Sequence, residues 1–146
     1  MKDLLKQIIL EQQEILHLSD RVYVQRHIED EWLRTTEILI LSGIRRCGKS
    51  VLMQQLRDRL QEKDFFFNFD DERLANFKLE DFQTLQECFY ELFDEQHTYY
   101  FDEIQNIEGW ERYVRRLYNE GNKIIITGSN ARMLSRETRR CCSRDL

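Results

Sequence analysis

Two glycines, a lysine and a serine occur in one short segment at a spacing that suits phosphate groups. The segment has the pattern Gly-x-x-x-x-Gly-Lys-Ser, follows a predicted buried strand and leads into a predicted helix. Glycine lets backbone N–H groups approach and point at phosphate oxygens, the lysine adds a full positive charge, and the serine hydroxyl is a suitable ligand for Mg2+. We therefore predict a P-loop for Mg-ATP that consists of Gly43, Ile44, Arg45, Arg46, Cys47, Gly48, Lys49 and Ser50.

A second motif places two carboxylates at the end of an apolar strand. Tyr99, Tyr100 and Phe101 precede Asp102 and Glu103, which gives the form of a Walker-B motif. Because successive strand residues alternate in direction, the two carboxylates should point differently. Asp102 is predicted to hold Mg2+ through water, together with the P-loop serine. Glu103 is predicted to orient and deprotonate the water that attacks the γ-phosphate.

A third strand end carries small polar residues. The run of three isoleucines that begins at Ile124 leads into Thr127, Gly128, Ser129 and Asn130. Ser129 is our candidate for contact with the γ-phosphate or the attacking water, and Asn130 is the alternative. An ordinary strand-to-helix turn with a helix N-cap would explain the same residues, so both interpretations stay open.

Alternating strands and helices must position these motifs. Strands separated by helices need crossover connections, which predicts an α/β fold with a mainly parallel sheet between two helical layers. An amphipathic N-terminal helix, whose apolar stripe runs from Leu4 to Leu16 and includes Ile15, should dock on the same domain. We predict strands at 37–42, 65–69, 98–102 and 123–127, and further helices at 25–34, 49–62, 79–95 and from 110 to Gly121.

Composition limits the classes of protein to consider. The chain has 146 residues, 41% apolar and 34% charged, which fits a single domain. We divide it into an N-terminal helical segment at 1–36, a nucleotide-binding core at 37–130, and a helix start with a disordered tail at 131–146. The net charge of -5 argues against a general nucleic-acid-binding surface. The absence of an apolar run long enough for a signal peptide or membrane span predicts a cytoplasmic protein.

These motifs together resemble those of prokaryotic AAA+-type ATPases, in particular the group often fused to a restriction-endonuclease-like C-terminal domain of unknown function. The resemblance covers about residues 20–137. It implies the class of P-loop ATPases in which the strand ending at Ser129 lies between the P-loop strand and the Asp102 strand, giving the spatial order 1-4-3-2. The matching segments are Gly43–Ser50, Asn68–Arg73, Asp102–Gln105, Trp110 and Thr127–Ser129.

The end of the chain departs from that family. Its members normally continue through a helix to a fifth strand, whereas residues 138–146 show no strand pattern. We therefore expect a truncated domain whose fifth strand is missing and whose sheet is uncovered beside the P-loop strand. Later arginines that could serve as an arginine finger would also be missing, so ATP binding should survive the truncation better than hydrolysis.

Other functions compete with an ATPase. A P-loop small-molecule kinase could use Asp70 or Asp71 to activate an acceptor hydroxyl, although the Asp102–Glu103 pair favours attack by water. A GTPase should show an Asn-Lys-x-Asp motif, which the segment beginning at Asn122 lacks. A non-hydrolysing interaction module could bind a protein partner, a second copy of the chain or nucleic acid; a solvated charged tail is the favoured explanation of its candidate basic residues. Those residues are Arg132, Arg136, Arg139, Arg140 and Arg144.

Overall fold

The apolar runs form the strands of one parallel sheet. The computed structural model describes residues 1–18, 30–42, 49–128 and 142–145, of which 17–18, 42, 49–50 and 142–145 are described by their backbone alone. The strand order is β2-β3-β4-β1-β5, and every pairing is parallel. The predicted α/β class and the order 1-4-3-2 of the first four strands are confirmed. The strands are β1 (Leu39–Ser42), β2 (Phe66–Asn68), β3 (Thr98–Asp102), β4 (Lys123–Gly128) and β5 (Cys142–Asp145).

The fifth strand, which the sequence was expected to lack, is present. Its residues pair with β1 along the whole of that strand, from Leu39 opposite Cys142 to Ser42 opposite Asp145. Strand pairing uses backbone groups, so a polar segment without a strand-like pattern can still cover an exposed edge. The expectation of a missing fifth strand and an uncovered β1 edge is therefore wrong.

Within the described ranges, five α-helices cover the two faces of the sheet and make three layers. Along β1, β2, β3 and β4 the described apolar side chains alternate between two hydrophobic clusters. The first, the α1-side cluster, includes Tyr99, Phe101 and Ile126, and the second, the α3-side cluster, includes Tyr100 and Ile125. Helices α1, α4 and α5 contribute to the first cluster, and α2 and α3 to the second. The helices are α1 (Lys2–Leu18), α2 (Asp30–Arg34), α3 (Lys49–Arg59), α4 (Asp81–Phe93) and α5 (Trp110–Asn119).

Both faces of the central strands are buried, which explains their continuous apolar sequence.

The predicted helices at 49–62 and 79–95 are each a few residues too long, because α3 ends at Arg59 and α4 spans Asp81–Phe93. No helix within the described ranges combines the length and apolar character needed to cross a bilayer.

Helix α1 docks on its own domain and closes the outer edge of β2. Leu5, Ile8 and Ile9 of its apolar stripe are buried, whereas Ile15 is 59% exposed and does not belong to the buried stripe. The Gln12 side chain donates a hydrogen bond to the Asn68 carbonyl and accepts one from the Asn68 N–H, both at 2.9 Å. One amide group thus satisfies the backbone of this edge residue as a neighbouring strand would.

Replacing Gln12 by methionine tests this closure of the β2 edge. The change keeps the length of the side chain but leaves the Asn68 N–H and C=O without their partner. We expect the free energy of unfolding to fall by about 1–3 kcal/mol, measured by urea denaturation followed by circular dichroism. Gln7→Met is the matched control on the same helix, because Gln7 is exposed and hydrogen-bonds only Glu11 among the described residues. Equal losses in the two variants would contradict an edge role for Gln12.

Candidate functional site

The parallel sheet brings the ends of its strands to one edge. Asn68 of β2 is in register with Asp102 of β3, and Ser42 of β1 is in register with Gly128 of β4. Because the strands are parallel, their carboxyl ends lie along the same edge, where open α/β sheets bind ligands. Strand β1 ends at Ser42 and α3 begins at Lys49, so the predicted phosphate loop has both of its anchors at this edge.

The alternation along the strands also fixes the face on which the polar side chains lie. Tyr100 belongs to the α3-side cluster and Phe101 to the α1-side cluster, which returns Asp102 to the face of α3. The same argument assigns Thr127 to that face, because Ile125 belongs to the α3-side cluster and Ile126 to the other. Asp102 and Thr127 therefore share both an edge and a face with the helix that follows the predicted P-loop.

One hydroxyl joins the ends of β3 and β4. The Thr127 hydroxyl donates a hydrogen bond to Oδ1 of Asp102 and accepts one, at 3.1 Å, from the backbone N–H of Glu103. All three residues are buried, with exposed fractions of 0% for Thr127, 5% for Asp102 and 8% for Glu103. Because these three residues are almost inaccessible to solvent, their hydrogen bonds determine how the Asp102 carboxylate and the Glu103 backbone are held.

Glu103 leaves the strand in an uncommon backbone conformation. Its φ of 55° and ψ of 43° lie in the left-handed region, which costs a non-glycine residue about 1 kcal/mol or more. A 3-10 turn at Ile104–Asn106 follows directly. We predicted that Asp102 and Glu103 point differently because strand residues alternate in direction. The strand ends at Asp102, however, so the direction of the Glu103 side chain is set by the turn that follows.

The structure brings together some of the predicted site residues and leaves others undescribed. Asp102 and Glu103 lie at the carboxyl edge, and the backbones of Lys49 and Ser50 form the first turn of α3. Thr127 is a member of the site that our choice of Ser129 or Asn130 did not include. A hydroxyl that ends a run of three buried isoleucines was the available signal for it. The candidates outside the described residues are Gly43, Ile44, Arg45, Arg46, Cys47, Gly48, Ser129 and Asn130.

The donor chemistry suits a magnesium ion that arrives with a phosphate ligand. Within the described residues there is no group of three or more His, Cys, Asp or Glu side chains that could enclose a metal. Mg2+ is usually held by one or two carboxylates and the oxygens of a substrate phosphate, with water completing its octahedron. Asp102, a buried carboxylate on the same face of the sheet as α3, fits that pattern better than a cage made of protein alone.

Asp71, one of the alternative catalytic carboxylates, is engaged in holding a loop. Its carboxylate accepts a hydrogen bond from the Arg73 N–H at 2.9 Å and forms an ion pair with the Arg73 guanidinium at 2.9 Å. The guanidinium keeps the pKa of Asp71 below its ordinary value. The same arginine pairs with Glu11 of α1 at 2.9 Å, so this loop is fastened to the N-terminal helix.

Comparison with known proteins indicates the family of the chain. The family model described as "AAA domain" matches residues 35–144. The uncharacterized protein MJ1544 of Methanocaldococcus jannaschii is 34% identical over 137 residues, which cover 93% of this chain and 30% of that protein. An uncharacterized protein of Haemophilus influenzae is 38% identical over 128 residues, covering 82% of this chain and 32% of that protein. The chain thus spans about a third of the length of the curated relatives it matches.

A solved structure shares the fold at low sequence identity. The structure of PCH-2 from C. elegans superposes with a TM-score of 0.55 and 13% identity, over 98% of this chain and 42% of that one. At this identity the likeness concerns the fold alone. The family model covers most of the chain, and the shared fold is consistent with it. The chain therefore belongs to the AAA-type family of P-loop ATPases.

Proposed function

We propose that this chain binds Mg-ATP through residues 43–50 and hydrolyses it with Glu103 as the general base. One observation carries the proposal: Asp102 and Glu103, joined through the Thr127 hydroxyl, lie at the sheet edge where β1 ends and α3 begins. A triphosphate at the start of α3 would then have a buried carboxylate and a candidate base beside it. Membership of the AAA-type family supports the nucleotide as the ligand.

The amino end of α3 is suited to an anion. Helices normally favour acidic residues in the first turn, where backbone N–H groups and the helix dipole create positive potential. Among the described helices, α1, α2, α4 and α5 each have such a residue, whereas α3 has none and begins with Lys49 and Ser50. The positive potential of this helix end is thus left for the phosphates of ATP, and Lys49 adds a full charge at the β- and γ-phosphates.

Asp102 and Glu103 have different tasks in the proposed reaction. Asp102, through water, and Ser50 would hold Mg2+, which when bound neutralises charge that develops on the phosphate oxygens. Glu103 would accept a proton from a water molecule aligned with the γ-phosphate. Ser129, or Asn130 in its place, would orient that water or contact the γ-phosphate from the end of β4. Ser129 and Asn130 follow Thr127 by two and three residues in the sequence, which supports this choice.

The alternative functions have less support. A kinase would need a free carboxylate near the acceptor, and Asp71 is already engaged with Arg73. For the interaction module, the candidate residues Arg132, Arg136, Arg139 and Arg140 lie outside the described residues, and Arg144 is described by its backbone in β5. Assembly with a second copy, which is typical of the family, is part of our proposal. The cytoplasm remains the predicted location.

Removing the charge of the P-loop lysine should weaken nucleotide binding. We expect Lys49→Ala to weaken ATP binding by about 10- to 150-fold, because a charge-assisted contact with phosphate contributes about 1.5–3 kcal/mol. Fluorescence titration with a labelled ATP analogue in the presence of Mg2+ measures this. Lys78→Ala removes an exposed lysine and should bind like the wild type. Binding by Lys49→Ala at wild-type affinity would refute the predicted P-loop.

Removing the proposed base should separate binding from turnover. Glu103→Gln keeps the size of the side chain but cannot accept the proton, so phosphate release should fall by about 10^2- to 10^4-fold. ATP affinity should stay within about threefold of the wild-type value, a change of well under 1 kcal/mol. Glu108→Gln, the same chemical change at an exposed position, is the control. Hydrolysis that continues at the wild-type rate in Glu103→Gln would exclude Glu103 as the base.

A further inference from the structure

Thr127 holds two parts of the site with one hydroxyl. Resting on the proposed function, we propose that Thr127 is a positioning residue that sets the orientation of the Asp102 carboxylate and the backbone of Glu103 together. It would do so without touching ATP, through its hydrogen bonds to Asp102 Oδ1 and from the Glu103 N–H. The metal ligand and the general base would then be aligned by a single shared group.

The direction of both hydrogen bonds is fixed by the chemistry of the partners. A carboxylate oxygen can only accept and a backbone N–H can only donate, whereas a hydroxyl has one proton and can also accept. The Thr127 proton therefore points at Asp102 while an oxygen lone pair faces the Glu103 N–H. The bond to Asp102 is charge-assisted, the stronger class of hydrogen bond. A hydroxyl engaged on both sides loses its rotational freedom, and so does the carboxylate that accepts from it.

The contact with Glu103 falls where the backbone needs support. Glu103 adopts the left-handed conformation, which persists in a non-glycine residue only when its surroundings hold it. The backbone N–H of Glu103 donates a hydrogen bond to the Thr127 hydroxyl. The hydroxyl therefore helps to fix the turn that determines where the Glu103 side chain points. A different turn at this point would move the base while leaving Asp102 in the strand.

The position of Thr127 in the sheet extends this alignment to the P-loop strand. Strand β4 lies between β3 and β1, and Thr127 is in register with Leu41, one residue before the end of β1. The side chain is completely buried, so water cannot replace its hydrogen bonds if the hydroxyl is removed. Loss of a group that hydrogen-bonds to a metal ligand and orients it commonly lowers metal affinity or activity by about 10- to 100-fold.

The test compares Thr127→Val, which has the same shape without the hydroxyl, with Thr127→Ser, which keeps the hydroxyl. Two quantities are measured: steady-state phosphate release, and the Mg2+ concentration that gives half-maximal binding of a non-hydrolysable ATP analogue. For Thr127→Val we expect kcat to fall about 10- to 100-fold with KM for ATP changed less than about threefold, and the Mg2+ requirement to rise about tenfold. Thr127→Ser should restore both quantities to within about threefold of the wild type.

Two results would overturn the proposal. The first is a Thr127→Val variant that matches the wild type in both measurements. The second is a Thr127→Ser variant that is as impaired as Thr127→Val, since packing of the methyl group would then explain the loss. If urea denaturation shows that Thr127→Val does not fold, Thr127→Ser and Thr127→Cys form the pair, because they differ in the hydroxyl and lack the same methyl group. Equal Mg2+ requirement and equal kcat in that pair would also overturn it.

Failure of the proposed function would be recognised separately. A wild-type chain that binds the analogue with Mg2+ but releases no phosphate would refute hydrolysis, and Thr127 would be judged on the Mg2+ requirement alone. A wild-type chain that binds no nucleotide would refute both proposals. A wild-type chain that hydrolyses ATP, with Thr127→Val unchanged, would refute only the role of Thr127.

Discussion

The parallel pairing of β4 with both β1 and β3 is the constraint on which the site depends. Parallel strands end at the same edge, so the strand that leads into the predicted P-loop and the strand that ends in Asp102 must deliver their polar residues together. Insertion of β4 between them adds a third polar strand end, and the Thr127 hydroxyl links it to Asp102 and Glu103. The remaining elements keep this central part of the sheet closed and buried.

The two edges of the four-stranded core β2-β3-β4-β1 are covered by different means. At β2, the Gln12 amide of α1 takes both backbone groups of Asn68, the residue in register with Asp102. At β1, the backbone of β5 supplies a further strand. Ion pairs of Lys2 and Lys6 with Glu91 fasten α1 to α4, and they hold the pKa of Glu91 down to about 2. The N-terminal helix is therefore part of the scaffold of the site.

Much of the fold follows from the sequence, whereas the finer structure of the site does not. Apolar runs such as Leu39–Leu41 identified four strands, and the helical spacing of Trp110, Tyr113 and Leu117 identified a buried helix face. The strand order came from the family resemblance, since no local pattern states which strands are neighbours. Strand β5 escaped prediction because it is held by backbone pairing.

The isoleucine run that ends in Thr127 could have marked this residue as a site candidate, but its hydrogen bonds to Asp102 and Glu103 join residues far apart in the chain and cannot be read from a single sequence. The same is true of the left-handed turn at Glu103. The sequence does identify the carboxylates of β3 and the helix that begins at Lys49. The roles assigned to residues 43–50, Ser129 and Asn130 stay predictions. The structure adds the Thr127 hydroxyl of β4, which hydrogen-bonds to both Asp102 and Glu103.

The most direct test of the account is calorimetric titration of the purified wild-type chain with ATP, first with Mg2+ and then with EDTA, and with adenosine as the comparison ligand. The account predicts one saturable ATP site per chain. Its affinity should fall about tenfold or more without Mg2+, equivalent to at least about 1.4 kcal/mol, and adenosine should bind far more weakly than ATP. No saturable binding at millimolar ATP, or adenosine binding as tight as that of ATP, would contradict it.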